Sequence, residues 1–192
     1  MTLNYYGVVS SEEGLLLFGD AKTLQQWRGL ENEQAQVAQI KTILEAEQPG
    51  LNLSIEDGLG VIWEMEGAGT TDVFISAIAE DIMLVRVWLE GSEDAESETQ
   101  IITDFSAMPM ASSPVFAEFE VRSGYLAALA PSESGECITS QDGNRYSLSV
   151  EDMATEGSGT LLPCANGRYQ CYHDSVQLGA AEARRCYITR VR

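Results

Sequence analysis

Leu15, Leu16, Leu17 and Phe18 form a continuous apolar run, with Gly14 before it and Gly19-Asp20 after it. Over four residues, periodicity does not separate a buried strand from a buried piece of helix. The short length and the glycine flanks predict an interior strand. Asp20 then reads as a helix N-cap, because a carboxylate accepts from the free N–H groups of a first turn. Leu24 and Trp27 lie three apart on one face of the short helix that follows, and Gly29 ends it as a residue that accepts the left-handed conformation. So short a helix does not stand without tertiary packing, so Trp27 is predicted to fold back over the sheet and be buried.

Other elements follow from the same pattern. Leu3 to Val9 predicts a first strand that makes an edge hairpin with the apolar run through Ser10 to Gly14. Val37, Ile40 and Leu44 recur at three and four, with Ala38 and Ile43 beside them, which predicts an amphipathic helix ended by Pro49-Gly50. Leu51 to Ile55, Leu59 to Met65, Asp72 to Ile78 and Met83 to Leu89 read as strands. In the last of these Met83, Val85, Val87 and Leu89 share one face, while Leu84, Arg86 and Trp88 share the other. Arg86 is expected to pair with a neighbouring carboxylate. Gly67-Ala68-Gly69 lacks the third glycine, the lysine and the following helix of a phosphate loop, so it reads as a turn.

Glu90 to Glu98 is a dense acidic run, read either as a solvated hairpin tip or as an arm for a basic partner. Thr99 to Phe105 reads as the strand that resumes after it. Ser106 to Pro114, with two prolines and small residues, reads as a linker. Beyond it, Val115 to Val121 and Tyr125 to Ala130 predict a hairpin around Ser123-Gly124. Pro131 to Asn144 reads as a polar loop and Arg145 to Val150 as a strand. Arg168 to His173 and Arg184 to Val191 read as a final hairpin. The expected fold is α+β, mainly antiparallel β-sheet in two packed modules. They comprise an acidic α+β module over 1–105, a linker over 106–114 and a β-rich module over 115–192, with the helices mostly in the first.

Charge changes this picture most. The chain has 192 residues and a net charge of −19. Residues 1–120 hold 22 acids against 4 bases, a net of −18, and residues 121–192 hold 8 acids against 7 arginines, a net of −1. Such a field repels nucleic acid and anionic membranes and steers basic partners in. Hydrophobic residues make 44% of the chain, enough to build a core. The opening residues lack the basic segment and apolar stretch of a signal peptide, so a cytoplasmic protein is expected.

Cys137, Cys164, Cys171 and Cys186 all fall in the second half, with the single histidine, His173. Neither a C-x-x-C pair nor a second close ligand pair is present, so no metal is expected, and four buried reduced thiols fit best. No G-x-S-x-G elbow or third orienting residue accompanies His173, so no catalytic set is nominated. No cofactor is expected.

The apolar strand, the short helix and the terminal Trp27-Arg28-Gly29 resemble the start of the immunity protein 21 family of bacterial polymorphic toxin systems. Where that family carries Gly-Gly-Pro, this chain reads Glu13-Gly14-Leu15. Gly69-Thr70-Thr71 followed by Leu84-Val85-Arg86-Val87-Trp88 is similar to the family's second strand pair. The resemblance implies a binding protein without catalysis, whose partner is a cognate toxin. The acidic surface complements the basic grooves of toxins that cut nucleic acid. The residues nominated for that contact are Glu64, Glu66 and Asp72 on a fixed surface, with Glu90, Glu93, Asp94, Glu96 and Glu98 steering the encounter. Two other readings stand beside it: a small-ligand protein or enzyme with a pocket between the modules, and an acidic mimic of DNA.

Overall fold

The computed structural model describes residues 3–32, 34–45, 48–65, 67–89, 95–109, 113–153, 157–179 and 181–191. In chain order the strands are β1 (Leu3–Ser11), β2 (Leu15–Asp20), β3 (Gly50–Ile55), β4 (Gly58–Glu64), β5 (Gly69–Ser76), β6 (Asp81–Leu89), β7 (Val115–Val121), β8 (Tyr125–Leu129), β9 (Ile138–Gln141), β10 (Arg145–Leu148), β11 (Gly159–Pro163), β12 (Gly167–Leu178) and β13 (Ala181–Arg190). The α-helices are α1 (Ala21–Leu24), α2 (Gln34–Glu45) and α3 (Ala95–Ala107). The fold is α+β and mainly antiparallel sheet, with the helices in the first part of the chain.

Two sheets pack face to face. One has six strands in the order β1-β5-β6-β13-β12-β7, and the other has five in the order β11-β8-β2-β4-β3. Each sheet takes strands from both sides of the 106–114 stretch, so the two layers are not the two sequence halves. The inner faces meet in a core that includes Leu16, Phe18, Trp63, Leu84, Phe119, Tyr169 and Ile188. Phe119 lies between Phe18, edge-on at 5.9 Å, and Tyr169, stacked at 5.6 Å. Such ring arrangements suit the aromatic quadrupole.

The Leu15 to Phe18 run is continuous because β2 is central in its sheet and buried on both faces. Leu16 and Phe18 face the inter-sheet core, and Leu15 and Leu17 face an outer layer with Leu24, Trp27 and Ile40. That outer layer is the cover supplied by α1, α2 and the β9–β10 pair. Trp27 is 1% exposed, as predicted, and its indole N–H donates to the Pro131 carbonyl at 2.9 Å.

Several expectations are corrected. Thr99 to Phe105 is not a strand but the body of α3, so no strand resumes there. Ile101, Ile102 and Phe105 recur with helical spacing and cover Met83, Val85 and Ala183 on the outer face of the six-stranded sheet. β1 and β2 do not pair. β1 joins β5, and β2 joins β4 and β8, so the turn between them crosses from one sheet to the other. The β7–β8 turn crosses the same way, since β7 pairs with β12 and β8 with β11 and β2. Helix α1 ends at Leu24, before Gly29, whose φ of +82° instead opens a single 3-10 turn at Leu30–Asn32. The 131–144 loop contains β9, paired with β10.

Candidate functional site

At one end of the sandwich, β4, β6, β12 and β13 bring charged and aromatic side chains from the inner faces together. Strand alternation places Arg86 and Trp88 inward beyond Leu84, and Arg184 inward beyond Cys186. Arg86 is 2% exposed, and its guanidinium donates to the carbonyls of Gly67 and Ala68 in the β4–β5 turn. These two carbonyls are among the contacts of Arg86. Gly69 is required here: its φ is +141°, and a Cβ would lie 2.2 Å from the Arg86 guanidinium.

The Trp88 ring carries two cations, with the Arg86 guanidinium 5.0 Å and the Arg184 guanidinium 5.5 Å from its centroid. Arg184 in turn bonds Glu64 at 2.8 Å and Glu182 at 2.8 Å. Beside them the Trp63 indole N–H donates to His173 Nδ1 at 3.1 Å. That bond requires an unprotonated Nδ1, so the neutral imidazole carries its proton on Nε2. Burial, reinforced by the Arg184 charge, pushes the His173 pKa below its ordinary value, against a smaller upward pull from Asp174 and Glu182. The Nδ1 lone pair is therefore engaged by an indole rather than by a hydroxyl or thiol.

All four cysteines are buried and free. Burial pushes the Cys137 thiol up to about 11 and the Cys164 thiol up to about 12. These two remain protonated at neutral pH and are poor nucleophiles. Among the described residues, no group of three or more His, Cys, Asp or Glu is placed to hold a metal ion.

The nominated acids fall in three places. Glu64 is half-buried and held by Arg184. Asp72 is half-buried on β5, opposite Val8 and Val85, on the α3 side of the six-stranded sheet; Glu64 reaches that sheet from its other side. Positions 96 and 98 lie in the first turn of α3. Glu66, Glu90, Glu93 and Asp94 lie outside the described residues.

Ion pairs engage most of the arginines. Arg122 pairs with Glu120, Arg168 with Glu118, Arg184 with Glu64 and Glu182, Arg185 with Asp174, and Arg190 with Glu80, while Arg28 approaches Glu56 at 3.9 Å. The hydrogen bonds from Gln170 and Arg168 hold the Glu118 pKa below the usual range, and Arg122 does the same for Glu120. Glu12, Glu13, Glu31, Glu45, Asp57 and Asp104 stand exposed in the acidic part of the chain. A cavity of about 510 Å³ opens between the β1–β2 turn, the β4–β5 turn and the segment after β8, lined in part by Ser11, Glu13, Thr70, Glu133 and Ser158. No helix among the described residues is long and apolar enough to cross a membrane. Comparison with family models, curated proteins and solved structures finds no match.

Proposed function

We propose that this chain is a cytoplasmic immunity protein that binds and neutralises a cognate bacterial toxin through an acidic surface, without catalysis. The observation that carries the reading is the charge left over. Residues 1–120 hold 22 acids against 4 bases, and most arginines of the second half are held in ion pairs. The outward field is therefore that of acid, which favours a basic protein partner over nucleic acid. The Arg184 pairs with Glu64 and Glu182 at the sandwich end suit a rigid scaffold for such a surface. The reading also draws on the resemblance at Trp27-Arg28-Gly29.

The test uses the product of the neighbouring reading frame as candidate toxin. Glu90, Glu93, Asp94, Glu96 and Glu98 are replaced together by their amides, and binding kinetics are followed at low and high salt. Association should slow and its salt dependence flatten, with dissociation little changed, because rim charges act through long-range steering. Unchanged association at low salt removes the acidic segment from the binding surface. A second reading is a small ligand in the 510 Å³ cavity, which takes lining residues from both sides of the 106–114 stretch.

A further inference from the structure

Arg185 sits on β13 with 1% of its surface exposed, yet its side chain points away from the inter-sheet core, toward α3. Each N–H of its guanidinium is used. Nη1 donates to the carbonyls of Phe105 at 2.9 Å and Met108 at 2.8 Å. Nη2 donates to the Pro109 carbonyl at 2.8 Å and to Asp174 Oδ2 at 2.6 Å, and Nε donates to the same oxygen at 3.2 Å. The cation also lies 4.6 Å from the centroid of the Phe105 ring.

Helix ends leave carbonyls without intrahelical partners, and a cation there is favoured by the helix dipole. The last turn of α3 contains no basic residue of its own. The sheet supplies the cation instead, and Asp174 balances its charge. The apolar part of the docking is small, with Phe105 fully buried and Ile101 and Ile102 only partly so.

We infer that Arg185 is the positioning residue that clamps α3 to the six-stranded sheet, and that α3 opens as a unit when the clamp is removed while the two sheets persist. The helix starts at Ala95, within the Glu90 to Glu98 run. Resting here on the proposed function, the clamp fixes the anchor from which positions 96 and 98 meet a partner. Preorganisation of this kind lowers the ordering cost of binding.

The experiment is amide hydrogen exchange on the full chain, comparing the native protein with Arg185→Met and with Arg185→Met/Asp174→Asn. The double variant removes both charges, so no buried carboxylate is left without its cation. In both variants exchange across 99–109 should rise by about tenfold or more, because that segment now opens locally. In the double variant, exchange within 82–88 and 186–190 should stay at native rates. Native protection of 99–109 in the double variant reduces Arg185 and Asp174 to an ordinary buried ion pair and overturns the clamp. A uniform rise along the chain overturns it as well, since the effect is then global stability. Exchange needs no partner, so this outcome is independent of toxin binding: the clamp can fail while salt-dependent association survives, and the reverse.

Discussion

Asp20 and Ser123, 103 positions apart, are joined twice: Asp20 Oδ1 accepts from the Ser123 backbone N–H at 2.9 Å and from its hydroxyl at 2.6 Å. The same oxygen takes the Arg122 N–H at 3.0 Å. The carboxylate at the end of β2 thus organises the turn by which the chain leaves β7 in one sheet and enters β8 in the other. The sequence position of Asp20 suggests a cap for α1, but no side-chain capping bond forms there.

Removing that carboxylate leaves several donors at the crossing turn without their acceptor. Asp20→Ala should cost about 3 kcal/mol, and Ser123→Ala, which deletes only the hydroxyl, about 1 kcal/mol. Urea denaturation of both variants and of the pair measures this, and the double variant should lose less than the sum. Strict additivity would show that the turn is held by other contacts.

Trp27 allows the ring and its hydrogen bond to be separated. Trp27→Ala should cost about 3–5 kcal/mol as a core truncation. Trp27→Phe keeps most of the ring but strands the Pro131 carbonyl, and should cost about 1–2 kcal/mol. Equal losses in the two variants would place the stabilisation in the indole N–H rather than in packing.

Much of the layer plan was legible where burial leaves a mark on one strand. The Leu15 to Phe18 run announces a strand covered on both faces, and the alternation of β6 correctly separates Met83, Val85 and Val87 from Leu84, Arg86 and Trp88. Connectivity was less legible. A short Gly- or Ser-containing turn looks the same whether it closes a hairpin or crosses between two sheets, so β1–β2 and β7–β8 both have the sequence of a hairpin. In α3 the window from Thr99 to Phe105 is too brief to separate two periods without Arg185, which lies some 80 positions from Phe105. The candidate site was half visible: Glu64, Arg86 and His173 each stood out. Their neighbours Arg184 and Trp63 come together only through the β4, β6, β12 and β13 packing, and no local pattern encodes that.

His173 should titrate below its ordinary value of 6.5, because burial and Arg184 both disfavour the imidazolium. Protonation of Nδ1 also breaks the bond from Trp63. The unfolded chain then binds a proton that the folded one refuses. The stability contribution is fully present above pH 6.5 and falls as the pH drops from there through the folded pKa. The carboxylates impose their own slope at lower pH, so the difference between native protein and His173→Gln isolates this one. NMR should show the His173 ring and the Trp63 indole N–H shifting with one common midpoint below 6.5. A midpoint at or above that value would contradict the buried, neutral assignment.

Glu64 separates a structural acid from a steering one. Its carboxylate faces Arg184 at 2.8 Å, with only about a fifth of either side chain exposed. Glu64→Gln removes one of the chain's 30 acidic residues, where the five amides remove five, so its share of long-range steering is the smaller. Glu64→Gln should lower stability by about 2 kcal/mol, the scale of a charge-assisted hydrogen bond. The variant should leave the low-salt association rate with a basic partner close to native. The amide replacements at 90, 93, 94, 96 and 98 should do the opposite, slowing association with little change in stability. Thermal unfolding and stopped-flow association on the two variants decide it. If Glu64→Gln slows association as much as the five amides together, Glu64 belongs to the partner surface, and the Arg184 pair is open to exchange for a cation of the partner.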